Sequence, residues 1–281
     1  EIKTVITPNA KMLSVGNSIL TGSVWVDGSF DHLASYSNSP YGNIANALNI
    51  AQSNETHMLF DSTGLMYDAG NGSFLDNILE TDISEYDYIL THLWGMDLSS
   101  TVSSSIGSLN STAGDGTVAG AVLTLLAYIK TNNPDCRLIL VGVPPTGING
   151  ADRGENVFTF GYENGANIIE CDYLMHQLAE QEHFTFADWE DFEPSYHWKD
   201  FTDSLNIHLN NENTYRKAGE YLGNQIIAQQ EQGAANRVVT KCCNITWKSN
   251  TYINADGGEG TDSNAKASDF IPVIPGETIC V

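Results

Sequence analysis

The segment KMLSVGNSILTG, residues 11–22, decides the fold expected for the whole chain. It starts as a short apolar run, typical of a buried strand, and Gly16 marks the turn that ends the strand. Asn17 and Ser18 follow at the turn, immediately before a second apolar group. A tight strand-to-helix turn exposes a serine oxygen and aims backbone N–H groups at a developing negative charge. We therefore interpret Ser18 as a nucleophile. The alternative is a loop whose serine only caps the next helix.

The rest of the chain continues as strands that alternate with helices. Further apolar runs predict strands at 56–63, 86–95, 136–147 and 184–189. Apolar residues at helical spacing predict helices at 41–51, 72–80, 115–134, 165–183 and 211–232. This order predicts a three-layer α/β/α domain over residues 1–235, with a central parallel sheet of about five strands. Functional sites in such sheets form at the carboxyl ends of the strands.

The last part of the chain, residues 236–281, has a different composition. It contains short β-like runs, many Gly, Asn, Ser and Thr residues, and no helical periodicity. Two interpretations stay open: a small β-rich appendage, or the first strands of a truncated β-sandwich module. The second interpretation implies further modules in a longer chain.

The charge balance limits the partners that the chain is expected to bind. It has 12 Lys and Arg residues against 35 Asp and Glu residues, a formal net charge of −23. Such a surface repels phosphate groups, so we expect no nucleic acid and no membrane as partner. The sequence has no phosphate-binding Gly-x-x-x-x-Gly-Lys loop and no Cys-x-x-Cys pair, so we expect neither a cofactor nor a metal.

A histidine and an acid stand far downstream, just before the last predicted helix. The segment DSLNIHLNNENTY begins at Asp203 and contains His208. A histidine can take the serine proton as a general base, and a carboxylate can hold the imidazole in the required tautomer. Together with Ser18, these residues predict a catalytic set. The alternative for His208 is a loop histidine that caps the following helix.

Four short blocks carry a resemblance to a known family. Gly16-Asn17-Ser18-Ile19-Leu20 resembles the Gly-Asp-Ser-Leu block of the SGNH (GDSL) hydrolases, with Asn for Asp and Ile for Leu. The segment LNIHLN, followed by a helix, resembles the last block and its histidine, His208. The resemblance covers residues 11–230. It implies an SGNH-hydrolase or flavodoxin-like fold and a serine nucleophile at Ser18.

The two middle blocks supply the family's oxyanion donors. DAGNGSFLDNI resembles the second block, which implies that the N–H of Gly72 contacts the oxyanion. LWGMDLS resembles the Gly-x-Asn-Asp block, with Gly95 in place and Asp97 where the asparagine would stand. We expect Asp97 to lie within reach of the oxyanion.

Two departures from the family pattern leave alternatives open. An ionised Asp97 cannot donate a hydrogen bond, so it is either held neutral by burial, or replaced in this role by a group such as Asn71, or a sign of impaired chemistry. A further alternative makes Asp97 the acid that orients His208. The family sets its acid three residues before the histidine, where this chain has Leu205, and Asp203 is the nearest acid. Asn206 is a weaker substitute.

Other polar and aromatic residues are candidates for substrate contacts. His92, at the end of the third predicted strand, either binds substrate or packs as a strand-end histidine. Trp94 is expected to contact substrate, and with Trp189, Tyr196 and Trp198 it forms a set that either stacks on sugar rings or anchors the core. His197 is a rival base without a following helix.

Two functions from different classes follow from this sequence. The first is a serine esterase that removes a small acyl group, most simply acetyl, from a carbohydrate or related ester. The second is a catalytically impaired SGNH-fold module for glycan binding or structure, in a multi-domain surface or virion protein. Both favour an extracellular, virion or cell-surface location.

Overall fold

The structure is a computed structural model, and it describes residues 9–26, 29–145, 166–192, 208–232, 247–253 and 259–268. The chain divides into two compact units, Glu1–Glu231 and Gln232–Val281. The first unit holds the central sheet. The second contains an antiparallel pair of strands, β8 (Trp247–Ile253) and β9 (Glu259–Ser268).

A parallel sheet of five strands forms the centre of the first unit, as predicted from the alternation of strands and helices. Its strands lie in the order β4-β1-β5-β6-β7. Their bounds are β1 Met12–Gly16, β4 Glu55–Leu59, β5 Tyr88–His92, β6 Arg137–Val141 and β7 Thr185–Ala187. All four pairings between neighbouring strands are parallel, so their carboxyl ends meet at one edge of the sheet.

Helices flank the sheet in a three-layer arrangement. Their bounds are α1 Ser18–Thr21, α2 Pro40–Ala47, α3 Phe74–Leu79, α4 Val118–Asn132, α5 Ile168–Glu182 and α6 Glu212–Gln232. Helix α6 packs closely on α2, because a Cβ at Gly219 or Gly223 would lie 2.6 or 3.0 Å from atoms of Asn43 or Ala47. Among the described residues, we find no helix with the length and apolar character needed to span a membrane.

Burial of the central strands explains why they read as continuous apolar runs. Every residue of β1 and β5 is buried, including Leu13, Ile89 and Leu90, which have no exposed surface. Strands of a parallel sheet that is covered on both faces have this composition. Each fully buried aliphatic side chain of this kind stabilises the fold by about 1.5–3 kcal/mol.

One element of the first unit was not predicted from the sequence. After α1 the chain forms an antiparallel pair, β2 (Ser23–Val26) and β3 (Ser29–His32), before it enters α2. Its strands are only four residues long and mix polar with apolar residues. Such short segments carry too little periodicity to be recognised.

Candidate active site

The turn between β1 and α1 is held by the side chain of Asn17. Asn17 has an extended backbone, and its Oδ1 accepts the N–H of Ile19 at 3.0 Å, which caps the single helical turn that begins at Ser18. Its Nδ2 donates to the carbonyl of Thr63 at 3.0 Å. Helix α1 then ends at Gly22, whose φ of 78° is in the left-handed region that glycine adopts without strain.

The hydroxyl of Ser18 faces the imidazole of His208. The Oγ atom of Ser18 lies 2.7 Å from Nε2 of His208, although the two residues are 190 positions apart. His208 is held on the approach to α6, where Leu209 is fully buried and Asn211 accepts the N–H of Thr214 at 2.8 Å. With Nδ1 protonated, Nε2 has the lone pair needed to take the serine proton.

The serine and histidine lie below the surface. Ser18 is 2% exposed and His208 is 3% exposed, whereas the sequence had suggested an exposed nucleophile. The N–H of Ser18 enters no hydrogen bond within the described part of the chain. It is therefore free to donate to an oxyanion that forms beside Oγ.

Close packing under the turn requires glycine at position 16. A Cβ at Gly16 would lie 2.3 Å from the hydroxyl oxygen of Tyr41 and 3.0 Å from Cδ2 of His92. The first contact is far shorter than a van der Waals separation, and the second is shorter by a few tenths of an ångström. A side chain at position 16 would therefore push Tyr41 and His92 away from the turn.

His92 is a buried neutral histidine next to the turn. Its Nε2 lies 3.3 Å from the backbone nitrogen of Asn17, and its Nδ1 lies 2.9 Å from the carbonyl oxygen of Leu93. The ring is tilted against that of Phe74, with 5.3 Å between centroids, and His92 is 1% exposed. Burial lowers the pKa of His92 to about 4. The structure favours the packed strand-end alternative for His92 over a substrate contact, because both ring nitrogens are engaged by the backbone.

Asp97 joins two loops through four backbone hydrogen bonds. Its Oδ1 accepts the N–H groups of Met66 and Tyr67, at 2.7 and 2.9 Å. Its Oδ2 accepts those of Leu65 and Trp94, at 2.9 and 2.7 Å. Burial raises the pKa of Asp97 to about 6 and these hydrogen bonds oppose the rise, so the carboxyl is ionised at neutral pH.

Asp68 accepts hydrogen bonds from two backbone N–H groups of the second block. Its Oδ1 accepts the N–H of Gly70 at 2.6 Å and that of Gly72 at 2.8 Å. Asn71, between these glycines, is exposed. The N–H of Gly72 therefore points at a carboxylate within its own loop.

The remaining predicted residues fall into two groups. Trp94 and Trp189 are 5% and 0% exposed and pack in the hydrophobic core, which favours the core-anchor alternative for both residues. The substrate contact of Trp94 stays a prediction. Trp189 donates its indole N–H to the carbonyl of Gly142 at 3.1 Å. Four further candidates lie outside the described residues, namely Asp203, Tyr196, His197 and Trp198. Within the described ranges, no group of three or more His, Cys, Asp or Glu residues is arranged to hold a metal ion.

Comparison with known proteins gives matches at the level of structure. No model of a protein family matches the sequence, and no curated protein matches it. A protein from Lactobacillus plantarum superposes with a TM-score of 0.55 at 11% identity, over 76% of this chain and 95% of that chain. The aryl esterase of M. smegmatis does so with a TM-score of 0.50 at 15% identity, over 78% and 99%. A carbohydrate acetylesterase from Sinorhizobium meliloti is 21% identical over 78% of this chain and 99% of that chain, with a TM-score of 0.47.

The chain has the fold of the SGNH hydrolases. Two roles carried over from the SGNH blocks need correction. Asp97 does not provide an oxyanion donor, because its carboxylate is an acceptor for four N–H groups and has no proton to give. Nor does it orient His208, since both of its oxygens are directed at the loops. Gly72 gives its N–H to Asp68.

Two functional features of this SGNH fold were missed from the sequence. One feature of the sequence could have predicted the contact of His92 with the nucleophile turn. Because Ser14 pairs with Leu90 in the register of β1 and β5, Gly16 and His92 fall on the same face of the sheet. Asp68 has a local signal, since an aspartate followed by Ala-Gly-Asn-Gly favours a side-chain-to-backbone turn.

Proposed function

We propose that this chain is a serine esterase that removes a small acyl group, in the simplest case acetyl, from a carbohydrate or a related ester. The observation that carries the proposal is the 2.7 Å contact between Oγ of Ser18 and Nε2 of His208. Two residues so distant in sequence meet at the carboxyl end of β1, where α/β sheets place their sites. A nucleophile within hydrogen-bond reach of a base is the arrangement that acyl transfer needs.

The reaction follows from the positions of these two side chains. Oγ of Ser18 attacks the ester carbonyl carbon while Nε2 of His208 takes the hydroxyl proton. The tetrahedral intermediate expels the alcohol, which receives that proton from His208 and leaves an acyl group on Ser18. Water, deprotonated by His208, then attacks the acyl-enzyme, and the carboxylic acid is released. No cofactor enters these steps.

The backbone of the turn is the proposed oxyanion donor. The N–H of Ser18 lies next to the reacting atom and has no protein acceptor within the described part of the chain. Loss of one oxyanion donor reduces turnover by about 100- to 1,000-fold in a serine hydrolase.

A small acyl group is favoured by the burial of the catalytic pair. Because Ser18 and His208 are almost fully enclosed, a long acyl chain would have to displace packed side chains. The fold of the M. smegmatis aryl esterase shows that this architecture carries ester hydrolysis in that protein. The acetyl group and the carbohydrate alcohol remain the proposed substrate class. The excess of acidic residues supports neutral glycan esters over phosphate-bearing partners.

Hydrolysis of p-nitrophenyl acetate and of acetylated oligosaccharides tests this function. The expected result is turnover by the wild type and its loss in Ser18→Ala. Ser14→Ala is the matched control, because Ser14 is a buried serine on β1, the strand that precedes the turn, and its hydroxyl has no described partner. Turnover that survives Ser18→Ala unchanged would contradict the proposal.

A second function is favoured by the state of the oxyanion donors. The N–H of Gly72 is held by Asp68, and the third block has a carboxylate in place of an amide. These features support a non-catalytic glycan-binding or structural module that keeps the SGNH fold. Calorimetry and a hydrolysis assay on the same oligosaccharides distinguish the two functions. A non-catalytic module would bind oligosaccharides in calorimetry but hydrolyse none of them. The extracellular, virion or cell-surface location stays a prediction under either function.

A further inference from the structure

The protonation state of His92 follows from its two ring contacts. Nδ1 faces the carbonyl oxygen of Leu93, which accepts hydrogen bonds but cannot donate them. Nδ1 must therefore carry the proton. In the neutral ring Nε2 is then a bare acceptor, and it faces the backbone N–H of Asn17.

This acceptor completes the hydrogen bonding of the residue that precedes the nucleophile. The amide side chain of Asn17 already bridges Ile19 and Thr63. With its N–H donated to His92, Asn17 is fixed from three directions. The position of Ser18, which follows it in the chain, is fixed as a consequence.

Protein surrounds the ring, so water cannot replace it. His92 is 1% exposed, Phe74 packs against it, and Gly16 provides the space that lets it approach the turn. Tyr41, whose hydroxyl also faces Gly16, is its titratable neighbour from α2. Without His92, the N–H of Asn17 would be buried and unpaired.

We propose that His92 is a positioning residue that aims Ser18 at His208, by accepting the N–H of Asn17 through Nε2 of a neutral, Nδ1-protonated ring. This role rests on the proposed esterase function for its effect on rate, but the ring geometry is independent of that function. A displacement of about 1 Å in an active site is enough to reduce the rate about 100-fold. His92 touches no reacting atom and is therefore not a catalytic residue.

The kinetic test compares three variants with the wild type. His92→Leu keeps an apolar volume but removes the acceptor, and kcat for p-nitrophenyl acetate is expected to fall about 10- to 100-fold with little change in KM. His92→Gln restores a neutral acceptor and is expected to recover most of the loss. Thr91→Val is the control, because Thr91 is the adjacent buried residue on β5 and its hydroxyl has no described partner. It should retain the wild-type rate.

A spectroscopic test on the wild type keeps the proposal falsifiable if His92→Leu does not fold or if the enzyme proves inactive. Long-range ¹H–¹⁵N spectra of the imidazole rings are expected to show His92 as the Nδ1–H tautomer at pH 7. Burial lowers its pKa to about 4, and the Asn17 amide shift should change through the same pH range.

Three results would overturn the positioning role. One is an Nε2–H tautomer of His92. Another is a wild-type rate in folded His92→Leu. The third is a His92→Gln variant that is as slow as His92→Leu, since that would assign the loss to packing alone. An inactive wild type with the expected tautomer and titration would reject the esterase function and leave the ring geometry supported.

Discussion

The Oδ2 atom of Asp97 accepts the backbone N–H of Leu65 at 2.9 Å and that of Trp94 at 2.7 Å. One carboxylate thus ties the loop after β4 to the loop after β5, at the edge of the sheet where Ser18 lies. A position that the family pattern assigns to an oxyanion donor acts here as an internal acceptor.

Asp97→Asn is expected to destabilise the fold. An asparagine offers one oxygen to the four N–H groups and turns two N–H bonds of its own toward them. Leaving buried donors unpaired costs about 1–3 kcal/mol for each group. We expect the free energy of unfolding in urea to fall by at least about 2 kcal/mol, and esterase activity to fall with it.

Asp82→Asn is the matched control for this change. Asp82 is exposed and accepts the N–H of Ser84 at 3.0 Å, so an amide oxygen can replace its carboxylate oxygen. Equal unfolding free energies for wild type and Asp97→Asn would show that the carboxylate does not hold the two loops together.

His92 is expected to give the fold a measurable pH dependence. Its pKa is about 4 in the fold against 6.5 in the unfolded chain, so the unfolded state binds the proton more readily. Its contribution is complete above pH 6.5 and is lost as pH falls toward 4. A difference of this size corresponds to about 3 kcal/mol.

The contribution of Asp97 to the stability of the fold changes with pH in the opposite direction to that of His92, over nearly the same pH range. Its pKa is raised from 3.8 to about 6, so its contribution is present below pH 3.8 and is lost as pH rises through 6. The two slopes offset one another in the wild type. In His92→Gln only the pH dependence that arises from Asp97 remains. The difference in unfolding free energy between the wild type and His92→Gln should therefore widen from pH 4 to 6.5 in urea titrations. A stability difference that does not change with pH would show that His92 does not have this lowered pKa.

Gly16→Ala is expected to destabilise the turn and slow the enzyme, because its Cβ would lie 2.3 Å from the hydroxyl oxygen of Tyr41. Tyr41→Phe alone should be nearly neutral, since that buried hydroxyl has no partner among the described residues. The double variant should therefore recover part of the stability lost in Gly16→Ala. Thermal unfolding of the four proteins measures this coupling. Strict additivity would place Tyr41 away from the turn.

The sequence predicts the sheet well, because buried parallel strands must be apolar throughout. The five runs that predict strands correspond to β1, β4, β5, β6 and β7, in the parallel arrangement expected. Their ends are less predictable. The run predicted over 86–95 narrows to Tyr88–His92, because the residues after His92 turn toward Asp97.

The site is predicted less completely than the fold. Ser18 and His208 stand out because each lies beside an element boundary in a recognisable block. The partners of Asp97 do not stand out, because a carboxylate binds whichever backbone N–H groups the folded loops present to it. Asp68 lies only four residues before Gly72 and takes its N–H before any substrate can.

The most direct test of the central claim is to locate the adduct of a fluorophosphonate by intact mass and peptide mapping. We expect a single adduct on Ser18 in the wild type and in Ser14→Ala, and none in Ser18→Ala. Labelling should be strongly slowed in His208→Gln, since loss of the base in a serine hydrolase lowers turnover by about a million-fold. An adduct on another residue, or no adduct on the folded wild type, would contradict the assignment of Ser18 and His208 as nucleophile and base.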